Sequence, residues 1–572
     1  MPVAPESLPF RDVRSGARHP TAIEKSGRAV ARSAWCAGML LVLSLRTAPP
    51  AAPFGFSPPR YSVAEKSIAQ LQTDLARGTV TAQALTRAYL ARIQALDVHG
   101  PALRSVIALN PHALADARRS DRARAAGARL GPLAGIPVLI KDNIESGDGT
   151  ATTAGSEALA RNVTRRNAPL VKRLIDAGAI VLGKTNLSEW ANFRSSNSIS
   201  GWSAVGGLVK NPYSLDRSAC GSSSGTGAAV AASLAAAGVG TETDGSVTCP
   251  ASVNGLVGLK PTVGLVSRTY VVPISHDQDT PGPMGRSVAD VAALLNAIAG
   301  SDPKDAATRD ADRHKSDYLA GLPAASLRGK RLGVLRYAAD VASPPVSAAF
   351  AGAVALLRAQ GAQIVELPDF KPNVSALGEL ELTVLLTDLK TDLNAYLAAT
   401  PAGVTTRTVA DLIAFDRADP RELRLFGQDL FEKAEATKGP SDPHYRNARD
   451  AARRRTGPEG IDRLVTGNHL DALIAPTYAP ASRIDVVDGD DISGVVASLP
   501  AMAGYPHLTV PMGAVRGLPV GLSFIGRAWT ERSLLELGAA YERAAHERQP
   551  PAYVKSLEDA GTVTGLFAPN HR

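Results

Sequence analysis

The chain has 572 residues, 20% of them charged, with a formal net charge of +8. That length accommodates a sizeable buried core, and the ordinary globular composition excludes disorder as the main state. The positive charge comes from scattered arginines, clustered locally at Arg118-Arg119, Arg165-Arg166 and Arg453 to Arg455. No basic block is interleaved with aromatics, so these charges read as solvated helix faces and nucleic acid is not an expected partner. Three cysteines, Cys36, Cys220 and Cys249, make no disulfide scaffold, and no CxxC or His/Cys metal spacing occurs.

Residues 1–52 do not read as part of a fold. Lys25, Arg28 and Arg32 precede an apolar run from Ala34 to Leu45, and small residues and prolines follow. This order predicts a secretory signal or disordered leader, with an apolar core too short to span a membrane. The expectation is an exported protein, periplasmic or secreted, if the leader is a signal, and a cytoplasmic one otherwise. No stable membrane association is expected after cleavage. The catalytic domain is expected over 60–550, followed by a tail over 551–572.

From Ser62 to Leu96, apolar residues recur at helical spacing, broken at Gly78, with Thr79 or Thr81 available to cap the second helix. A short strand over 105–109 and a charged helix over 111–126 follow. In GPLAGIPVLIKDNI, Gly131 to Ile144, the apolar strand Val138 to Ile140 delivers Lys141 and Asp142. Taken alone, Lys141 reads as a surface residue at a strand end. If buried it would favour the neutral amine and accept a proton.

Residues 178–185 match the phosphate-binding pattern G-x-x-x-x-G-K-[ST]. A phosphate cradle needs a strand before its first glycine and a helix at the Lys-Thr pair. Here a helix over 169–177 ends at Gly178, and Ala-Ile-Val-Leu is itself strand-like, so nucleotide binding is not expected and Gly178 reads as a helix C-cap. Asn186 to Gly207 is a polar loop.

Cys220 to Leu265 is the densest stretch, with three serines between glycines, an Ala-rich apolar run, and a second turn at Asp244-Gly245-Ser246. Glycine beside serine permits unusual turns and brings amide N–H groups close to a bound oxygen. The Ala-rich run reads as a helix and strand that hold the turns together. Cys220 and Cys249 read as small buried apolar side chains, and whether they pair stays open.

Ser275 to Gly285 reads as a turn-rich loop, and residues 287–299 as an apolar helix. A strand over 330–335, a helix over 346–360 and a strand over 363–367 give the alternation of an α/β sheet. Residues 370–445 are helical and show no recognisable catalytic pattern. A strand over 472–475, a strand pair at 508–510 and 520–525, and a helix over 531–545 complete the chain.

No histidine lies in the central stretch, and Ser246 does not fit G-x-S-x-G. Ser223 does fit it, but the preceding KNPYSLDRSAC reads as a loop where that elbow needs a strand. No HExxH, EF-hand or dense carboxylate pattern supports metal catalysis, and no cofactor is expected. A serine can instead be activated by a neutral amine.

VLIKDN, CGSSSG and TDGS, with the later AGYPHLTVPMGAVRGLPVGLSFIG, resemble the amidase signature family of serine amidohydrolases. The resemblance runs from about Ser62 and is densest over 131–267. It implies an α/β fold with a single large mixed β-sheet flanked by helices on both faces. It also implies a triad: Lys141 as base, Ser222 in a cis peptide bond as relay, and Ser246, 24 positions later, as nucleophile. That separation disfavours Ser223 and Ser224. Backbone N–H groups of Thr243, Asp244, Gly245 and Ser246 would form the oxyanion hole.

The chain departs from the family where G-G-S-S-G-G becomes C-G-S-S-S-G and D-T-G-G-S becomes E-T-D-G-S. The second change keeps the amide N–H of Asp244 and adds a carboxylate free to orient water or substrate. GTETDGSVTCPA, NGLVGLKPTVGLVSR and QDTPGPM look most like peptide amidases, and argue against the glutamine-handling subunit of tRNA-dependent amidotransferases. The resemblance therefore implies hydrolysis of linear carboxamides, with the C-terminal amide of peptides favoured. The rivals are a broad-range aliphatic or aryl amidase, decided by the substrate-shaping helices of 370–445, and a catalytically silent binding protein on the same fold. The expected partner is a small-molecule or peptide amide.

Overall fold

The computed structural model describes residues 61–490 and 496–559, all within a unit spanning Pro58–Arg572. The leader expected over 1–52 lies outside the described residues, as does the tail beyond 559.

The helical spacing after Ser62 is realised as two helices. Ile68–Ala76 starts at Ser67, whose hydroxyl accepts from Gln70 N while the Gln70 side chain accepts from Ser67 N, a reciprocal cap that satisfies two otherwise unpaired donors. Ala82–Arg92 starts at Thr81, which accepts from Ala84 N. Leu71, Leu75, Leu85 and Tyr89 are buried in the main core.

Eleven strands form one mixed sheet: β1 (Val106–Leu109), β2 (Pro137–Lys141), β3 (Ile180–Thr185), β4 (Ala237–Glu242), β5 (Val257–Lys260), β6 (Thr280–Gly285), β7 (Arg331–Leu335), β8 (Gln363–Leu367), β9 (Ala472–Pro476), β10 (His507–Val515) and β11 (Leu518–Ile525). Their spatial order is β1-β3-β2-β4-β6-β5-β10-β11-β9-β7-β8. β2 runs parallel to both β3 and β4, with Ile140 opposite Lys184 on one side and Val239 on the other. The carboxyl ends of these strands, and hence Lys141 and Glu242, therefore finish on the same sheet edge, where α/β proteins build their sites.

The strand β3 continues through Gly183, Lys184 and Thr185, so the phosphate-loop pattern is extended backbone and cannot wrap a phosphate. Lys184 is buried, 3.5 Å from Asp142 Oδ1, and donates to Thr152 Oγ1. Gly178 follows the helix Pro169–Asp176 with a positive φ of 90°, as a C-cap requires.

One expectation is overturned. Thr280–Gly285, TPGPMG, is not part of a turn-rich loop but a fully buried strand, paired with β4 and β5 in the middle of the sheet. Crowding explains its composition. A Cβ on Gly282 would lie 2.4 Å from the Leu259 carbonyl oxygen, so the centre of the sheet excludes side chains there.

The segment over 370–445 supplies helices Val374–Ala398, Val409–Ala418 and Asp429–Glu435, and Pro443–Thr456 follows. Leu385, Leu389, Leu393 and Leu397, one turn apart, bury into a second core with Phe431 and Trp190. The Trp190 and Phe431 rings meet edge-on with centroids 5.6 Å apart.

Candidate active site

Lys141, the last residue of β2, is completely buried rather than exposed at the strand end. Its Nζ lies 2.8 Å from Ser222 Oγ, 2.9 Å from Thr241 Oγ1 and 3.3 Å from the Thr241 carbonyl oxygen. Asn143 Nδ2 also donates to Thr241 Oγ1, at 2.9 Å. Burial pulls the amine down to about 7, opposed in part by the charges of Asp279 and Glu242. Near neutral pH roughly half of such a group is neutral.

The three serines of CGSSSG occupy three different environments. The Gly221-Ser222 peptide bond is cis, and the Ser222 carbonyl accepts from Ser188 N at 3.0 Å. Ser223 Oγ donates to the Thr241 carbonyl at 3.1 Å and accepts from Thr241 N at 3.2 Å, tying the turn to β4. Ser224 opens the helix Ser224–Ala231. Of the three hydroxyls, only that of Ser222 contacts Lys141.

Ser246 sits beside this turn, because its carbonyl accepts from Ser223 N at 3.2 Å. The preceding Gly245 has a φ of 76°, and a Cβ there would lie 2.0 Å from Tyr478 Oη. Both conditions demand glycine. Glu242 Oε2 accepts from Val247 N at 2.8 Å and Thr248 N at 2.9 Å, capping the short helix Thr248–Val253. Among the described residues, none accepts from the amides of Thr243, Asp244, Gly245 or Ser246.

Cys220 and Cys249 are disulfide-bonded, with Cα atoms 6.0 Å apart, not two independent apolar side chains. Both turns start or end at the same sheet edge, so residues 29 positions apart in sequence meet in space. The bond joins the turn that holds Ser222 to the helix that follows Ser246.

The amidase family matches this chain over residues 84–535. The chain belongs to the amidase family.

A probable amidase of Arabidopsis thaliana is 38% identical over 507 residues, covering 86% of this chain and 93% of its own. A glutamyl-tRNA(Gln) amidotransferase subunit of Chloroflexus aggregans is 36% identical over 517 residues, covering 85% of this chain and 98% of its own. The native peptide amidase of Stenotrophomonas maltophilia, solved by X-ray crystallography, superposes with a TM-score of 0.79 at 50% identity, covering 86% of this chain and 99% of its own. The protein is an amide-hydrolysing enzyme with the mixed eleven-stranded sheet and flanking helices of that family.

Around the amidase site stand residues that sequence reasoning missed. Ser498 Oγ donates to Asp244 Oδ2 at 2.6 Å. Gln278 Nε2 donates to Glu381 Oε1 at 2.8 Å, and burial together with the negative charge of the neighbouring Asp244 carboxylate raises the Glu381 carboxyl well above its ordinary range. Glu381 belongs to the helix Val374–Ala398, where no catalytic pattern was legible. A signal was present: Glu381, Asp388, Asp392 and Tyr396 recur at intervals of seven, four and four, which aligns them on one helix face.

His276, Asp277 and Asp388 bring possible metal-ligating atoms together. Their chemistry is that of an ion-pair network. Asp277 pairs with Arg453 at 2.6 Å, and Asp388 accepts from Ser275 and Tyr445. The Asp392 hydrogen bond holds His276 up at about 9, as a cation rather than a ligand.

Proposed function

We propose that this amidase hydrolyses linear carboxamides to acid and ammonia, with Ser246 as nucleophile, Ser222 as relay and Lys141 as base. The observation that supports this most directly is the 2.8 Å contact of Lys141 Nζ with Ser222 Oγ inside a fully buried site. A neutral amine has two hydrogens and one lone pair. The Thr241 carbonyl and hydroxyl oxygens take the hydrogens, which leaves the lone pair for the Ser222 proton.

Ser222 in turn takes the proton of Ser246, whose oxygen attacks the amide carbon. The amides of Thr243 to Ser246 would stabilise the oxygen that gains charge, and the lack of an acceptor for them among the described residues supports that role. The proton returns through the relay to the departing nitrogen, which leaves as ammonia. Water then adds to the acyl-enzyme by the same route, freeing the acid and regenerating Ser246.

The C-terminal amide of peptides is the favoured substrate. Its support is the 50% identity with the Stenotrophomonas maltophilia peptide amidase across 86% of the chain. The test is ammonia release from amidated peptides and from small aliphatic and aryl amides, with Ser246→Ala in parallel. Release surviving Ser246→Ala sinks the mechanism. Turnover of small amides without amidated peptides replaces the substrate assignment with the broad-range one, and no turnover of any amide by folded protein favours a silent binding protein.

A further inference from the structure

The environment of Glu381 assigns it work that the Lys-Ser-Ser chemistry does not use. Its side chain lies in the interior at 9% exposure, on the helix Val374–Ala398. One oxygen accepts from Gln278 Nε2, which also reaches the Thr243 carbonyl at 3.4 Å. The carboxyl also lies beside that of Asp244, two residues before the nucleophile, and the negative charge of Asp244 acts on it. Asp244 Oδ2 accepts from Ser498, while its Oδ1 is buried and has no hydrogen-bond partner among the described residues.

Two carboxyl groups in contact cannot both be ionised without a cation between them. The cation that faces Asp244 is Lys260, whose Nζ donates to the Pro261 carbonyl instead. Glu242 on β4 adds a further negative charge, and Tyr478 and Tyr337 complete the titratable groups around Asp244. The contact therefore closes only with one proton held between the two carboxyls.

We propose that Glu381 is a positioning residue of this amidase: its carboxyl stays protonated, donates to Asp244 and so fixes the loop Thr243–Ser246 in the shape that attack on the amide requires. The inference rests on Ser246 being the nucleophile. Burial raises both carboxyls above their ordinary range, and the negative charge of Asp244 raises Glu381 further, which puts the proton on Glu381. Asp244 stands where many family members have glycine, so the pair lies outside the shared Lys-Ser-Ser triad.

Glutamine at 381 keeps both contacts, because its amide N–H donates to Asp244 and its oxygen accepts from Gln278. The experiment measures kcat and KM for amide hydrolysis against pH in the wild type, Glu381→Gln and Glu381→Leu, with thermal unfolding of each and Ser246→Ala as reference. The expected result is Glu381→Gln within about threefold of wild-type kcat at neutral pH, and Glu381→Leu lower by roughly 10- to 100-fold with a smaller change in KM. The wild type should lose activity on the alkaline side as the shared proton leaves, and Glu381→Gln should lack that limb. Glu381→Gln as impaired as Glu381→Leu overturns the proposal, as does an alkaline limb that is unchanged in Glu381→Gln or missing from the wild type. Activity that survives Ser246→Ala refutes the nucleophile instead, so the two failures are distinguishable.

Discussion

Lys141 Nζ and Ser222 Oγ lie 2.8 Å apart across 81 positions of sequence. The contact forms because β2 ends where the CGSSSG turn crosses the sheet edge. An amine held at about 7 by burial must be neutral to act as a base, so kcat/KM should rise with pH through about 7 and level off above it. A pH–rate profile between about 5 and 9 checks this. A flat acid limb down to the pH of unfolding would exclude Lys141 as the titrating base.

Removing the relay should cost rate rather than binding. Ser222→Ala is expected to lower kcat by roughly 100- to 10,000-fold, with KM changing far less. Steady-state kinetics on one amide substrate suffices, and a Ser222→Ala enzyme with wild-type kcat would remove Ser222 from the proton path.

The same amine makes stability depend on pH. An unfolded lysine holds its proton up to about 10.5, whereas folded Lys141 releases it near 7. Between these values the unfolded chain binds more protons, so stability rises with pH across that window and is lost as pH falls toward 7. From about pH 8 to about pH 9.5 the contribution is about 2 kcal/mol. Urea unfolding of the wild type and Lys141→Met at both pH values should show the wild type gaining more than the variant by about that amount. Equal gains would argue against a depressed lysine.

The disulfide closes a loop of 29 positions, for which chain entropy gives about 3 to 4 kcal/mol. A Cys220→Ser, Cys249→Ser double variant should unfold at correspondingly lower denaturant, and its kcat should fall because the turn that holds Ser222 and the helix that follows Ser246 lose their covalent tie. Wild-type midpoint and kcat in the double variant would show that hydrogen bonds alone hold the turns.

Gly245→Ala should abolish most activity, since the added methyl would sit 2.0 Å from Tyr478 Oη on a backbone with φ of 76°. Gly245→Ala with Tyr478→Phe should recover part of it, because removing the hydroxyl relieves the clash but not the roughly 1 kcal/mol of backbone strain. No difference between the single and double variants would mean that the backbone conformation alone sets the cost.

Much of this architecture was legible because it rests on local pattern. The helix Glu531–Ala545 and the strand Gln363–Leu367 follow from apolar periodicity and propensity. The family resemblance pointed to Lys141 and Ser222, which the structure brings within 2.8 Å of each other, and the cis bond lies where that resemblance implied. What escaped depends on long-range contact. Thr280–Gly285 has the composition of a turn and becomes a strand by pairing with β4 and β5, with glycine at 282 where a Cβ has no room. The disulfide needed the meeting of two loops, and Glu381 needed the docking of a helix more than 100 residues beyond Ser246.

The helix Val374–Ala398 is bound to the rest of the enzyme by the stripe that Glu381 begins. Asp388 accepts from Ser275, Asp392 accepts from His276 N, and Tyr396 donates to Glu145 while accepting from Asn162. This helix is thus not a cassette that can be exchanged freely between relatives. A graft that swaps its sequence without these four positions and their receivers would arrive unbraced against the loop Thr243–Ser246.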